Sequence, residues 1–155
     1  MKTIFFSLIL LSAITTHTNA QDATLLRKKN FNLEKGIAIQ GYDPVAYFKQ
    51  NKAIKGSNDI LTTYQGVIYN FSSVENKEAF TKNPSTYEPQ FGGWCAYAMG
   101  KSGDKVEVDP ATFKILNGKL YLFYNKYFNN TLKSWNKDEA NLKAKADMNW
   151  QKIYH

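Results

Sequence analysis

The chain contains one cysteine, Cys95, and only two histidines, His17 and His155. A single thiol cannot close an internal disulfide, so the fold has to stand on its core alone. His17 sits in a leader-like stretch and His155 is the last residue, where chains fray. The body of the sequence therefore brings no imidazole to a serine or cysteine, which argues against a protease-like or esterase-like triad. Long apolar runs are missing too: the longest, from Ile4 to about Ile14, is well short of the roughly 20 residues that cross a bilayer. Lysines such as Lys49, Lys52, Lys55, Lys77, Lys82, Lys101, Lys105 and Lys119 are scattered rather than massed, so the formal charge of +7 reads as a solvated surface and not as a nucleic-acid interface. There is no internal repeat, low-complexity segment, glycine-rich phosphate loop, zinc-protease motif, nucleotide fingerprint or pair of catalytic carboxylates.

The opening residues, MKTIFFSLILLSAITTHTNAQDA, join a basic start at Lys2 to an apolar run and then to small residues at Thr18-Asn19-Ala20. That is the pattern of a secretory signal peptide cleaved after Ala20, with no cysteine beside the cleavage point to carry a lipid. The expected organisation is a leader over 1–20, a polar N-terminal arm over 21–35, and one domain over 36–155. The expected location is outside the cytoplasm, periplasmic or secreted, without stable membrane insertion. Aromatic residues make up 15% of the chain, and rings bury enough area per residue to support a core without cross-links.

Local signals divide the domain into short elements. In GIAIQGYDPVAYF a strand-like run ends at Gly41, Asp43 stands as an N-cap, and Pro44 opens a short helix. Gln65-Gly66 separates two alternating runs, predicting a hairpin of about Ile60–Tyr64 and Val67–Phe71. Ser72, three residues before Glu75, predicts the cap of a helix over Val74 to about Lys82, which Asn83-Pro84 stops. Asp109-Pro110 reads as a second cap and first turn. Asn117-Gly118 between two strand-like runs favours a two-residue turn with positive φ at both positions. From about Phe128 to Ile153, apolar residues recur among lysines and acids as in one or two amphipathic helices packed on the sheet. The fold class expected is α+β: a small single domain with antiparallel β-hairpins, short capped helices and a C-terminal helical segment.

The succession GYDPVAYF, then YQGVIYNFSSVENKEAF, then FGGWCAYAMGKSGDKVEVDPATFKILNGKLYLFYN resembles exported members of the YHS-domain family over residues 36 to 153. That resemblance implies a small treble-clef-like domain and, in several relatives, copper or other heavy metals. In metal-binding relatives one cysteine follows an Asp-Pro-Val triplet and two more lie at Cys-x-x-x-Cys spacing. The matching positions here are Ala46, Ser72 and Asn76, none a thiolate donor, and soft metals need thiolate, thioether or imidazole. The family histidine is matched by Tyr64-Gln65-Gly66. The segment GGWCAYA does match the exported subgroup, some of whose members are thought to place selenocysteine at the position of Cys95, which implies chemical use of that atom.

The residues around Cys95 leave three readings open. Gly92-Gly93 permits unusual backbone angles or close approach to a ligand. Lys101 and Lys105 are near enough in sequence to favour a thiolate, and an exported thiol runs a risk of oxidation that serine would avoid. Cys95 and Met99 form a Cys-x-x-x-Met pair suited to Cu(I), with Tyr97 or Asp109 as a third ligand. The first reading is thus a non-enzymatic binding module holding copper or another small ligand through Trp94, Cys95, Tyr97, Asp43, Lys101, Lys105 and Asp109. The second is a thiol-based oxidoreductase with Cys95 as its catalytic residue, cycling through a sulfenic acid or mixed disulfide. The third is a structural domain in which Cys95 and Met99 fill the core and Asp43 and Asp109 are caps. Tyr42, Tyr47, Tyr69, Trp94, Tyr97 and Tyr121 line a pocket on the first reading and the core on the last. A homodimer joined through Cys95 is a further possibility for partners.

Overall fold

The structure, a computed structural model, describes residues 15–154, with side chains from Gln21 onward. Most of the leader assigned to 1–20 and the terminal His155 lie outside the described residues. Helix α1 (Thr15–Asn30) leads into strands β1 (Leu33–Glu34) and β2 (Ile37–Ala38), helix α2 (Pro44–Lys49), strands β3 (Ser57–Tyr64) and β4 (Val67–Phe71), helix α3 (Val74–Lys82) and the one-turn helix α4 (Pro84–Tyr87). A tight turn over Gln90–Gly93 precedes helix α5 (Ala96–Lys101) and strands β5 (Asp109–Leu116) and β6 (Lys119–Phe123). The miniature hairpin of β7 (Asn125–Lys126) and β8 (Asn129–Asn130) then gives way to helices α6 (Thr131–Trp135) and α7 (Glu139–Tyr154). The fold is α+β, and among the described residues no helix is long and apolar enough to cross a membrane.

The first half is a four-stranded sheet in the order β1-β2-β4-β3, in which β2 runs parallel to β4 and the other neighbours are antiparallel. Gln65 and Gly66 turn β3 into β4 with φ of 46° and 80°, the sense that matches strand twist. Gly66 serves packing as well, since a Cβ there would lie 2.3 Å from Cγ2 of Thr24 on α1. At Asn117-Gly118, between β5 and β6, the φ values are 51° and 70° and a Cβ on Gly118 would meet nothing within 4 Å. There the glycine answers only to the turn.

Asp43 caps α2 as its spacing requires, accepting from the backbone N–H of Val45 at 2.8 Å and of Ala46 at 3.3 Å. The cap of α3 is Ser73 rather than Ser72: the Ser73 hydroxyl accepts from Asn76 N–H at 3.1 Å, while Ser72 Oγ donates to Asp43 at 2.6 Å. Sequence spacing cannot separate two adjacent serines, but the carboxylate behind Ser72 does. Asp109-Pro110 opens strand β5 and not a helix. The Asp109 carboxylate accepts from Ala111 N–H and the Thr112 hydroxyl, both at 3.0 Å, across a register shift against β6. An aspartate before proline forms this local turn as readily as a helix cap.

Residues 21–35, expected as a polar arm, are helix and strand packed on the domain. Arg27 and Asn30 are buried, and Phe31 and Leu33 pack against the core. Two buried clusters result. One joins the sheet to α2 and α3 through Val45, Tyr47, Val67, Tyr69, Phe71 and Phe80. The other gathers Phe91, Tyr121, Phe123, Trp135 and Ala146 between the β5–β6 hairpin and the C-terminal helices.

An ion pair steadies the second half. Glu139, in the first turn of α7, accepts from the Lys114 ammonium and from Trp135 Nε1, the latter at 2.9 Å. The Lys114 hydrogen bond is the main reason that its carboxyl is held below the ordinary value of 4.5. A carboxyl depressed on folding adds stability above its unfolded pKa and loses it as pH falls through the lower folded value. Acid titration of stability should therefore steepen below about pH 4.5, and Glu139→Gln should flatten that limb while leaving neutral-pH folding intact. Parallel acid limbs for the two proteins would remove this pair from the account.

Candidate functional site

The segment from Phe91 to Cys95 crosses between the two clusters and is pinned on both sides. Gly92 C=O accepts from Asn32 N–H at 2.9 Å, Gly93 C=O from the Asn32 side chain at 3.2 Å, and Trp94 Nε1 donates to Asn30 C=O at 2.7 Å. Cys95 N–H donates to Val106 C=O at 2.9 Å. Phe91 and Gly92 both take positive φ, 55° and 59°. A Cβ on Gly92 would fall 2.8 Å from the Phe31 ring and 2.9 Å from that of Trp150. The glycine lets two aromatic side chains close over the loop.

Cys95 is fully buried, with 0% of its surface exposed. Its sulfur receives the Tyr124 backbone N–H at 3.3 Å and lies 3.4 Å from the Thr131 hydroxyl, which itself donates to Tyr124 C=O at 2.8 Å. The thiol thus joins the end of β6 to the start of α6. Met99, also fully buried, belongs to the second cluster while Cys95 belongs to the first. Among the described residues no three His, Cys, Asp or Glu side chains group as metal ligands do.

The lysines proposed to favour a thiolate are engaged elsewhere. Lys101 holds its ammonium 5.8 Å from the Tyr97 ring centre, and Lys105 donates to Asn30 Oδ1 at 2.9 Å. Burial, with a smaller contribution from Lys29, lowers the Lys105 pKa. Of the six aromatic residues considered, Tyr47, Tyr69 and Tyr121 are core, while Tyr42, Trp94 and Tyr97 are half-buried. Burial first, then Tyr42 with Asp109 and Asp43 at Tyr47 and Glu88 at Tyr69, raises the two pKa values, so both phenols stay neutral.

Asp43 is buried and lies in a different place from Cys95. Besides its two bonds to α2, it accepts from Ser72 N–H at 2.8 Å, Ser72 Oγ at 2.6 Å and Asn76 Nδ2 at 2.7 Å. Ala46, Ser72 and Asn76 therefore meet on one carboxylate.

Several openings mark the surface of the described residues, and two of them differ in kind. A polar cleft of about 210 Å³ is lined by Gln40, Lys55, Asn58 and Asn70, with Asn70 Oδ1 lacking a hydrogen-bond partner. The other, about 460 Å³, lies directly on the pinned loop and is lined by Phe31, Glu88, Pro89, Phe91, Gly92 and Trp150 with Lys119, Asp147 and Gln151 at its edge. The second falls within the roughly 300–1,000 Å³ of small-molecule sites, as does an opening of about 440 Å³ lined by Ile60, Val74, Lys77 and Thr81, away from the pinned loop. One of the two carboxylates at the loop cleft, Glu88, accepts from the Arg27 guanidinium and the Tyr69 hydroxyl. Sequence reading missed this group because Arg27 and Glu88 are 61 positions apart and Arg27 lies in a stretch that reads as polar surface. The one available sign was Gly92-Gly93, which marks close backbone approach.

Comparison of the chain with protein-family models, with curated proteins and with solved structures gives no match in any of the three.

Proposed function

We propose that the chain is an exported binding module of the YHS type, that it takes a small, flat organic ligand in the cleft over Glu88–Gly92, and that Cys95 is a packing residue behind this cleft. The observation that carries the reading is the contrast between the two ends of one short loop. At one end Cys95 is sealed, with its sulfur bonded to backbone and hydroxyl. Four residues earlier, Phe91 borders a cleft with aromatic walls and a carboxylate. Phe31, Phe91 and Trp150 supply the apolar contact and Ser85, Gln90 and Gln151 supply polar groups that fix orientation, while Glu88 is held in place by Arg27 and Tyr69. The convergence of Ala46, Ser72 and Asn76 on Asp43 supports the family part of the proposal, because hydrogen bonds to a carboxylate hold together the positions that match metal-binding cysteines. A sealed thiol is also protected from oxidation in an exporting compartment, which removes the puzzle of its being single.

The test has two arms. Alkylation of Cys95 should be slow in the folded protein and should accelerate in step with unfolding by urea, since exposure requires opening of the core. Amide chemical-shift mapping against a set of small planar compounds should concentrate its changes on residues 88–92 and the Trp150 region. Fast alkylation under native conditions, or Cu(I) uptake that vanishes in Cys95→Ala, would return the site to the sulfur.

A further inference from the structure

Between Pro110 and Lys137 the chain holds five lysines, Lys114, Lys119, Lys126, Lys133 and Lys137, and no carboxylate. In the middle of this stretch the β7–β8 hairpin turns through Tyr127 and Phe128, with φ of 51° and 63°. Asparagine and glycine adopt that left-handed geometry with ease; bulky rings do so under strain. Both rings stand in solvent, at 89% and 111% exposure, the most exposed large hydrophobic residues among those described. The fold gains neither packing nor turn propensity from them. Rings held outward at a strained turn are suited to contact outside the chain.

We propose that this turn is a membrane-surface contact whose partner is an anionic lipid bilayer: Phe128 enters the acyl boundary, Tyr127 sits at headgroup level, and Lys126 and Lys133 engage the lipid charges. Tyrosine and lysine favour that interface for the same reason, an apolar body with a polar end. Lys126 and Lys133, which flank the two rings along the chain, are both exposed. Asp109, which reaches the base of the hairpin through Thr112 and Asn125, is turned back on its own strand. A lipid surface fits better than a protein pocket on area. Two rings offer about 150–250 Å² each, whereas a stable protein interface takes about 800 Å² per side. With no spanning helix among the described residues, the contact is peripheral and reversible.

The test is co-sedimentation of the purified chain with vesicles of phosphatidylcholine alone and of phosphatidylcholine mixed with phosphatidylglycerol, at low and high salt. The wild type should partition onto the anionic vesicles, weakly onto the neutral ones, and less as salt rises. The pair Tyr127→Asn and Phe128→Gly installs a favoured turn. It should lower partition by about tenfold or more while its melting temperature stays at or above that of the wild type. Phe128→Asn alone gives the same direction with less change to the turn. Lys126→Ala and Lys133→Ala should each cost about fivefold on anionic vesicles only. Wild-type protein left in the supernatant with anionic vesicles would overturn the proposal, as would double-variant protein that sediments like wild type. Concentration-dependent dimers abolished by the same pair, without vesicle binding, would assign the turn to a second copy instead and equally overturn it.

Discussion

Replacing Asp43 by alanine is expected to cost about 3–5 kcal/mol of stability, from a lost helix cap together with several stranded buried donors. The carboxylate is inaccessible to solvent and takes five hydrogen bonds, from Val45, Ala46, Ser72 twice, and Asn76. Truncation leaves those donors facing one another in a space closed to water. Asp43→Asn should fall between wild type and alanine. Its remaining oxygen can still cap α2, but its amide then points N–H groups at Ser72 N–H and Asn76 Nδ2, which are donors themselves. Urea denaturation of the three proteins measures the series, with an unchanged m-value showing that the same surface is exposed in each. A loss below about 1 kcal/mol for Asp43→Ala, the net worth of a single hydrogen bond, would mean that the carboxylate does not organise α2, β4 and α3 as argued.

The same residue shows how far the sequence could be read. Asp43-Pro44 and the run Val74–Lys82 carry signals that act over three or four residues, and the helices start and stop where those signals put them. The turns at Gln65-Gly66 and Asn117-Gly118 have the same local character, which is why both hairpins were legible. Where two local structures compete for one signal, the reading fails, as at Asp109-Pro110, where a strand won, and at Ser72, where a distant carboxylate took the hydroxyl. The site suffered most. Cys95 was singled out by its rarity, yet whether a thiol is sealed depends on Thr131 and Tyr124, and nothing in the spacing ties those residues to position 95. Gly92 gave a true hint of close approach, without saying that Phe31 and Trp150 were what approached.

Removing Arg27 is expected to cost a similar 3–5 kcal/mol, by leaving Glu88 charged and half-buried without its partner. Arg27 is only 5% exposed, and its guanidinium donates to both oxygens of Glu88 and lies 4.4 Å from the Phe31 ring centre and 5.3 Å from that of Tyr64. Burial alone would lower its pKa, but the Glu88 hydrogen bond and charge more than offset this and the net shift is upward. Arg27 is therefore charged throughout the working range, and the pair acts as a fixed clamp between α1 and the loop that forms the cleft. Arg27→Met with Glu88→Leu should cost much less than either single change, because both charges leave together and the apolar replacements can pack against Phe31. A double-mutant cycle in urea measures the coupling, expected above about 1.5 kcal/mol for residues in direct contact. Additive single changes would mean that the two side chains stabilise independently. A strong coupling would instead put residues 21–35 inside the cooperative unit. A chain begun at Gly36 should then be destabilised at least as much as Arg27→Ala, because it loses the clamp together with Phe31, the ring that closes over Gly92.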